Sequence, residues 1–245
     1  MIKVVILAAG KGTRMNHELP KVLVPIKGKP MIEYLLRAII DSGVDSRPII
    51  VVSPDNKDIM QKILVSYDCD YAIQYKQLGT GHALSCALAE INEPIDHIVC
   101  FYGDHPFVRP ETIKRLAGYE NGALTMMTTI VPDFEDWRKN FYHWGRIVRH
   151  NDRVEAIVEF KDATDEVREI KEVNPGFYCF EYGWLKKNIN KLENKNVQQE
   201  YYLTDLVQIA CSQGIKVGTI SIDPHEAVGI NSKEELEVAE SLINN

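Results

Sequence analysis

The sequence predicts an α/β fold with a mixed, mainly parallel central sheet and helices on both faces. In its first half, short apolar runs alternate with longer stretches whose apolar residues recur at helical spacing. The apolar runs are nearly continuous in Val and Ile, which is typical of strands covered on both faces. The composition agrees, because 245 residues with 45% hydrophobic and 26% charged residues can bury a large core, which argues against disorder and fibrous repeats.

Strands and helices alternate regularly up to residue 131. The predicted strands are Lys3–Ala8, Pro48–Ser53, Cys69–Gln74, Ile98–Gly103 and Ala123–Val131. The predicted helices are Met31–Asp41, Asn56–Ser66, Gly81–Glu90 and Pro110–Ala117. This order indicates a doubly wound sheet, in which ligands bind at the carboxyl ends of the strands.

After residue 131 the pattern indicates an antiparallel insertion laid against the end of the sheet. Asn151-Asp152 separates two strand-like runs and predicts a hairpin turn. The elements predicted here are strands Arg146–Arg149, Arg153–Phe160, Val173–Glu181 and Lys216–Ile222, and helices Gly183–Lys191 and Tyr201–Gln213. A last helix is predicted from Ser232, because Ser232 and Glu235 three residues later form a capping-box pattern.

Charge and cysteine usage exclude several classes of protein. A net charge of −7 disfavours a general nucleic-acid binder. The five cysteines contain no Cys-x-x-Cys pair, which predicts reduced thiols rather than a zinc site or a disulfide framework. The apolar run Val4–Ala9 is too short for an export signal or a membrane helix. We therefore expect a cytoplasmic protein that binds neither nucleic acid nor a membrane.

The loop after the first strand has the residues of a phosphate-binding loop. It reads Leu7-Ala8-Ala9-Gly10-Lys11-Gly12-Thr13-Arg14-Met15, and Leu19-Pro20-Lys21 follows. Glycines let successive backbone N–H groups turn toward phosphate oxygens, and Arg14 and Lys21 add positive charge. A Gly-x-Gly alone is nearly as typical of a tight turn, and the loop matches neither the dinucleotide fingerprint nor a P-loop.

The complete string resembles the signature of sugar nucleotidyltransferases, and it is most similar to the uridylyltransferase domain of the bacterial bifunctional N-acetylglucosamine-1-phosphate uridylyltransferase. The similar segments follow in family order along nearly the whole chain: Gln77-Leu78-Gly79-Thr80-Gly81-His82-Ala83, Tyr102-Gly103-Asp104, Gly145-Arg146-Ile147, Ile157-Val158-Glu159, Lys161-Asp162-Ala163-Thr164, Glu172-Val173-Asn174, Glu200-Tyr201-Tyr202-Leu203-Thr204-Asp205 and Gly229-Ile230-Asn231. The resemblance implies a Rossmann-like nucleotidyltransferase fold in a single domain, 1–245. Its parts would be a nucleotide-binding lobe (1–131), a small antiparallel sugar-binding lobe (132–226), and a metal-ligand segment with the C-terminal helix (227–245).

The resemblance also implies a reaction, in which UTP and a sugar 1-phosphate give a UDP-sugar and pyrophosphate. N-acetylglucosamine 1-phosphate is the first sugar to expect. The nucleophile is already a phosphate anion, so catalysis is mostly positioning and charge neutralisation around an in-line displacement at the α-phosphorus. The sequence agrees, since it shows no nucleophile elbow and no convincing Ser/His/Asp set. Substrates this negative in an acidic protein call for Mg²⁺ and a cluster of cations.

The resemblance assigns roles by position. Arg14 would contact the triphosphate and Lys21 would bridge both reacting phosphates as the catalytic residues. The nucleotide-binding set is Leu7, Ala8, Ala9, Gly10, Gly12, Gln74, Gly79 and Thr80. The sugar-binding set is Tyr102, Gly103, Gly145, Glu159, Asn174 and Thr204. The Mg²⁺ ligands would be Asp104 and Asn231, because a carboxylate and an amide oxygen suit a hard cation.

Some of these residues also have plainer interpretations. Thr80 could be a helix cap, Glu159 an exposed hairpin residue, and Asn231 the residue before a helix start. His82 is expected to pack or cap. His105 is expected to be a loop residue, with a role as partner of the preceding aspartate as the alternative.

The chain also departs from the family pattern. Asn140-Phe141-Tyr142-His143-Trp144 replaces the usual segment before Gly145, Val24 replaces a common His, and Pro175 follows Asn174. We expect these changes to affect the choice of sugar. The sequence shows no hexapeptide repeats, so we expect no acetyltransferase activity, no β-helix trimer, and a monomer or small homo-oligomer.

Two other hypotheses stay open. One keeps the fold with another nucleotide (dTTP, GTP or CTP) or another acceptor, such as choline phosphate or a polyol phosphate. The other is a non-catalytic regulator that binds nucleotide sugars.

Overall fold

A computed structural model describes residues 1–15, 17–118 and 122–243, so the last two residues of the predicted segment 227–245 lie outside the described residues. The strands are β1 (Ile2–Leu7), β2 (Pro25–Ile26), β3 (Lys29–Pro30), β4 (Ile49–Val52), β5 (Asp70–Ile73), β6 (His97–Tyr102), β7 (Leu124–Ile130), β8 (Arg146–His150), β9 (Arg153–Val158), β10 (Glu172–Val173), β11 (Tyr178–Glu181) and β12 (Gly218–Ser221). The helices are α1 (Met31–Ser42), α2 (Lys57–Ile63), α3 (Thr80–Glu90), α4 (Pro110–Ala117), α5 (Asp165–Arg168), α6 (Tyr182–Asn188), α7 (Asp205–Ser212), α8 (Pro224–Ala227) and α9 (Lys233–Leu242).

The central sheet is mixed and its first half is parallel, as the sequence predicts. Its order is β5-β4-β1-β6-β11-β7-β10-β8-β9, with β12 paired to β7. β1 pairs in parallel with both β4 and β6. The chain first builds the sheet on one side of β1, with β4 and β5, and then crosses to the other side to add β6. The loops that follow β1 and β6 therefore meet at a topological switch point, where open α/β sheets bind their ligands.

Helices cover both faces of the sheet because alternate residues of each strand point to opposite sides. Val4 and Ile6 of β1 belong to a core cluster that also takes residues of α1, α2 and α4. Val5 between them belongs to a second cluster, which takes residues of α3, α6 and α7. The predicted fold class is confirmed by this layering.

The antiparallel insertion is also present, and it continues the main sheet through β10, β8 and β9. The hairpin between β8 and β9 turns at Asn151 and Asp152, whose φ angles are 48° and 62°. Asn and Asp tolerate this left-handed conformation better than most residues, which is why their pair predicted the turn correctly.

The prediction of one strand over Val173–Glu181 is wrong. Val173 pairs with Thr129 and Tyr178 with Met126, so four residues (174–177) lie opposite two residues of β7. This bulge interrupts the strand and takes Asn174 out of the ladder with β7, while its N–H donates to Gly145 O at 2.9 Å beside β8. Gly176 makes the bulge fit, since its φ is +84° and a Cβ there would lie 2.3 Å from the Tyr102 ring.

The predicted helix Tyr201–Gln213 begins later, at Asp205. The backbone of Tyr201 instead bonds to the start of α3 and the residues before it: its N–H donates to Leu78 O at 2.8 Å, and its carbonyl accepts from Gly81 N at 2.8 Å.

The predicted C-terminal helix is confirmed as α9, where Ser232 Oγ accepts from Glu235 N at 3.2 Å. None of the helices described here is long and apolar enough to cross a membrane.

Candidate active site

Two cavities meet at the switch point of the sheet. The first measures about 540 Å³ and is lined by the loop after β1, the end of β5 and the start of α3. The second, about 260 Å³, is lined by the antiparallel insertion and the segment before α9. Tyr102, Asp104 and Asn231 line both cavities. Ligands in the two cavities would therefore have these three residues in common.

Most of the predicted site residues line one of the two cavities. The first cavity takes Leu7, Ala8, Ala9, Gly10, Lys21, Gln74, Gly79 and Thr80. The second cavity takes Arg14, Gly145, Glu159 and Asn174. Gly12, Gly103 and Thr204 lie just outside and support their neighbours. Gly12 packs against Lys21, because a Cβ on Gly12 would lie 2.5 Å from Lys21 Cβ.

The point where the cavities meet carries a compact group of charges. Lys21 Nζ lies 2.7 Å from Asp104 Oδ2 and 2.9 Å from Asn231 Oδ1. Arg14 Nη2 donates to the same Asn231 oxygen at 3.2 Å. Two cations, one carboxylate and one amide oxygen from three distant parts of the chain thus converge on one place. Such an arrangement can hold anionic phosphates and a further cation.

Asp104 stays ionised in this environment. Its burial favours the neutral acid, but Lys21 and His105 nearby and a hydrogen bond from the backbone outweigh burial and lower the pKa of Asp104 below its usual 3.8. The backbone fixes the partner segment, since Ile230 N donates to Asp104 O at 3.0 Å. The carboxylate and the Asn231 oxygen are therefore held side by side.

His105 lies in the loop between β6 and α4, as expected from the sequence, and it is also a buried neighbour of the charged group. Its ring is 3% exposed and packs edge-on against Phe177 and Trp144. Its Nδ1 donates to Ala227 O at 2.9 Å, and Nε2 lies 3.7 Å from Asp104 Oδ1. Burial lowers the pKa of His105 below its usual 6.5, against the opposing effects of Asp104 and of the hydrogen bond to Ala227.

Thr80 does not cap α3. The N-cap is Gly79, and the Thr80 hydroxyl instead accepts from Leu203 N at 3.0 Å. Gly79 has φ +107°, and a Cβ there would lie 2.6 Å from Tyr201 O, so only glycine lets these two segments approach. The first cavity is thus closed on one side by the segment that carries Tyr201 and Leu203.

Sequence reasoning missed several residues that line the cavities. They are Lys11, Val22, Gln77, Ala83 and Glu200 in the first, and His143 in the second. Trp144 and Pro175, two of the departures from the family pattern, also line the second cavity. Val24 lies elsewhere, in a small apolar cluster with Met15, Met31 and Ile230 behind the loop. The expectation that it affects the sugar side is therefore not supported by its position.

The comparison with known families decides what kind of domain this is. A family model described as the MobA-like NTP transferase domain matches residues 4–168. The chain belongs to this family. The match includes the loop after β1 and, of the three residues that line both cavities, Tyr102 and Asp104.

Relatives of this nucleotidyltransferase domain are similar over nearly all of the chain. A bifunctional protein GlmU from Caldicellulosiruptor saccharolyticus is 44% identical over 241 residues, which cover 96% of this chain and 50% of that protein. A second bifunctional protein GlmU, from Clostridium novyi, is 40% identical. The alignment covers 98% of this chain and 51% of that protein. The chain thus spans about half the length of the curated relatives it matches.

Solved structures show the same fold at low sequence identity. A structure described as that of a glucose-1-phosphate thymidylyltransferase from Bacillus anthracis has a TM-score of 0.77 at 17% sequence identity. The alignment covers 100% of this chain and 96% of that one. An inositol-1-phosphate CTP transferase from T. maritima has a TM-score of 0.75 at 18% identity, covering 99% and 94%. These similarities confirm the nucleotidyltransferase fold.

In this domain a buried arginine holds the loop that lines the second cavity. Arg146 is 0% exposed and donates to the carbonyl oxygens of Arg168 at 3.1 Å, Tyr142 at 2.8 Å, and also Trp144. Its guanidinium lies over the Phe134 ring, 4.7 Å from the ring centroid. The planar fork of donors satisfies several carbonyls at once, which a lysine ammonium cannot do in the same geometry.

We expect Arg146→Lys to lower the free energy of unfolding by about 3 kcal/mol, because buried carbonyl groups lose their donors. Urea denaturation measures the change. Arg149→Lys on the same strand is the matched control: that side chain pairs with Glu172 near the surface, so its replacement should cost no more than about 1 kcal/mol. Equal losses in the two variants would contradict a special role of Arg146.

Glu159 is held in an unfavourable environment for a charge. Its Oε1 accepts from Thr204 Oγ1 at 3.1 Å. Burial, helped by Asp205, Asp162 and Glu200, raises the pKa of Glu159 from 4.5 to about 6. The folded protein therefore binds this proton more tightly than the unfolded chain. The resulting stability is present below pH 4.5 and is lost as the pH rises through about 6.

We therefore expect Glu159→Gln to raise the free energy of unfolding by about 1–2 kcal/mol above about pH 7, where the wild-type carboxylate is ionised. The gain should shrink toward zero as the pH falls below 4.5. Urea denaturation across this range measures the gain. Glu155→Gln is the control, because Glu155 is exposed and lies on β9, the strand that Glu159 follows. A gain that does not change with pH would show that the Glu159 carboxylate carries no such penalty.

Proposed function

We propose that this chain is a nucleotidyltransferase that makes a UDP-sugar and pyrophosphate from UTP and a sugar 1-phosphate. N-acetylglucosamine 1-phosphate is the first sugar we expect. The observation that carries the proposal is the group formed by Lys21, Asp104 and Asn231 at the place where the two cavities meet. A triphosphate in the first cavity and a sugar phosphate in the second would bring their phosphates together there.

The residues at this place fit a magnesium ion. Within the described part of the chain, no group of three or more His, Cys, Asp or Glu side chains is arranged to hold a metal. Mg²⁺ does not need such a group, because it commonly uses one or two carboxylate or amide oxygens and takes the rest from phosphates and water. Asp104 and Asn231 supply two such oxygens, and both already face a cation, Lys21 Nζ.

Mg²⁺ bound by Asp104 and Asn231 would neutralise phosphate charge and orient the phosphates for displacement. The Lys21 ammonium lies beside the same two oxygens, where it would contact the phosphates. As the sugar phosphate oxygen attacks the α-phosphorus, the P–O bond to the leaving pyrophosphate breaks in line with it. Lys21 would balance the charge that develops around the α-phosphorus, and Arg14 the charge of the leaving group.

No side chain has to remove a proton in this reaction, because the attacking oxygen is already anionic. The work of the second cavity is to hold the sugar in line with the α-phosphorus. Glu159 and Thr204, joined by a hydrogen bond, and the turned-out Asn174 offer the polar groups that sugar hydroxyls and an acetamido group need. Trp144 and Pro175 would shape the same cavity and so the choice of sugar.

The experiment is a pyrophosphate-release assay in Mg²⁺ with a grid of substrates. UTP, dTTP, GTP and CTP are each tested against the 1-phosphates of glucose, galactose, glucosamine, N-acetylglucosamine and N-acetylgalactosamine. We expect release with UTP and N-acetylglucosamine 1-phosphate. Release with another pair would keep the reaction and correct its substrates. Tight UTP binding without release in any combination would favour a nucleotide-sugar-binding regulator.

A further inference from the structure

The amide of Gln74 is fixed in one orientation beside the first cavity. Gln74 follows β5, is 3% exposed and lines that cavity. Its Nε2 lies 3.0 Å from Gly79 O and 3.0 Å from His82 Nδ1. Both amide hydrogens therefore have partners in the protein. The polar atom that remains for a ligand is Oε1, which can only accept a hydrogen bond.

The Gly79 carbonyl and His82 hold the amide in this orientation together. An amide nitrogen only donates, so His82 Nδ1 must be the acceptor and the neutral ring carries its proton on Nε2. If the amide were reversed, Gln74 Oε1 would face the Gly79 carbonyl oxygen, and neither atom has a hydrogen to share. In the observed orientation Gly79 O and His82 Nδ1 each take one amide hydrogen, so neither hydrogen is left unpaired in a buried place. A carbonyl and an imidazole thus hold the amide from two sides.

We infer that His82 is a positioning residue for nucleobase selection, which acts by presenting Gln74 Oε1 as an acceptor to the base. This inference rests on the proposed function. An acceptor at this position requires a donor on the ligand. Uracil and thymine carry an N3–H, whereas cytosine has a bare nitrogen at the same ring position. The site should therefore favour an imide base over cytosine, and His82 should be needed for that preference.

The test compares UTP with CTP, which share the ribose and the triphosphate. In wild type we expect a clear preference for UTP in kcat/KM. His82→Leu leaves one Gln74 amide hydrogen without its acceptor, so the amide is held only through Gly79 O and its Oε1 is less firmly placed. The UTP/CTP ratio should then fall about tenfold. His82→Asn is the conservative variant, because its Oδ1 can stand near the position of Nδ1, and it should keep most of the preference.

Ser85→Ala, on the same helix and without a bond to Gln74, is the control and should leave the ratio unchanged. A residue that only packs would lower the rates with both nucleotides and leave their ratio alone. An unchanged ratio in His82→Leu, or an equal loss in His82→Asn, would overturn the inference.

A second measurement uses only the wild-type protein. The nitrogen chemical shifts of the His82 ring in the wild-type protein at neutral pH should show the proton on Nε2, and a proton on Nδ1 would overturn the inference. If wild type gives no turnover with any nucleotide, the proposed function fails. Calorimetric affinities for UTP and CTP in wild type and His82→Leu then test the inference by itself.

Discussion

Replacing Lys21 by Ala is expected to lower kcat about a thousandfold while changing UTP affinity only a few-fold. The reason lies in the contacts of the ammonium. In the free protein Lys21 Nζ is committed to Asp104 and Asn231, at 2.7 Å and 2.9 Å. The Asp104 carboxylate already balances part of its charge, so Lys21 should add little to the binding of UTP and more when charge develops around the α-phosphorus. Steady-state rates and calorimetric UTP affinities for the same variant separate the two effects.

The Lys21 experiment needs two further variants. Lys21→Arg keeps the charge but replaces a compact ammonium by a planar fork, so it should recover only part of the rate. Lys29→Ala removes an exposed lysine on β3 and should change neither quantity. Thermal unfolding of each variant shows whether it folds. Equal losses in UTP affinity and turnover would mean that Lys21 is only a binding cation.

Asp104→Asn is expected to lower Mg²⁺-dependent turnover by about a thousandfold, because the amide keeps the shape but loses the charge that attracts the metal. The rate should be measured against Mg²⁺ concentration. Wild type should saturate at low concentration, and the variant should need far more metal to reach even its reduced rate. In both, chelation of Mg²⁺ should stop pyrophosphate release.

Asp68→Asn is the control for that series, since Asp68 is an exposed aspartate paired with Arg47 on the surface. It should follow the wild-type curve. If Asp104→Asn also follows the wild-type curve at ordinary Mg²⁺ concentrations, Asp104 is not a metal ligand. Retained turnover with an altered Mg²⁺ curve would instead mean that the carboxylate helps to bind the metal without being required.

Local patterns were sufficient to predict most elements and the loop after β1. The spacing of apolar residues and the share of Val and Ile indicate whether a segment is buried on one face or on both. These two features separate the strands of the sheet from the helices that cover it. The strand predicted over Val173–Glu181 failed for a different reason. Pro175 and Gly176 inside it are local strand breakers that the prediction did not weigh, and the register with β7 then fixes how many residues the bulge holds.

The sequence was sufficient to predict which residues form most of the site. It was not sufficient to predict which of their atoms contact one another. Arg146 stood in a motif, but its partners are backbone carbonyls, which leave no mark in the sequence. His82 was expected to pack or cap, and its bond to Gln74 appears only when the start of α3 lies beside the end of β5. His105 was interpreted from its loop, whereas its burial comes from Trp144 and Phe177.

The most direct test of the account is a product analysis by phosphorus NMR. The protein is incubated with UTP, N-acetylglucosamine 1-phosphate and Mg²⁺, and all phosphorus species are followed together. We predict that pyrophosphate and UDP-N-acetylglucosamine appear in equal amounts while the sugar 1-phosphate is consumed at the same rate. Triphosphate hydrolysis without consumption of the sugar 1-phosphate, or no change in any species, would contradict transfer of the nucleotidyl group between the two cavities.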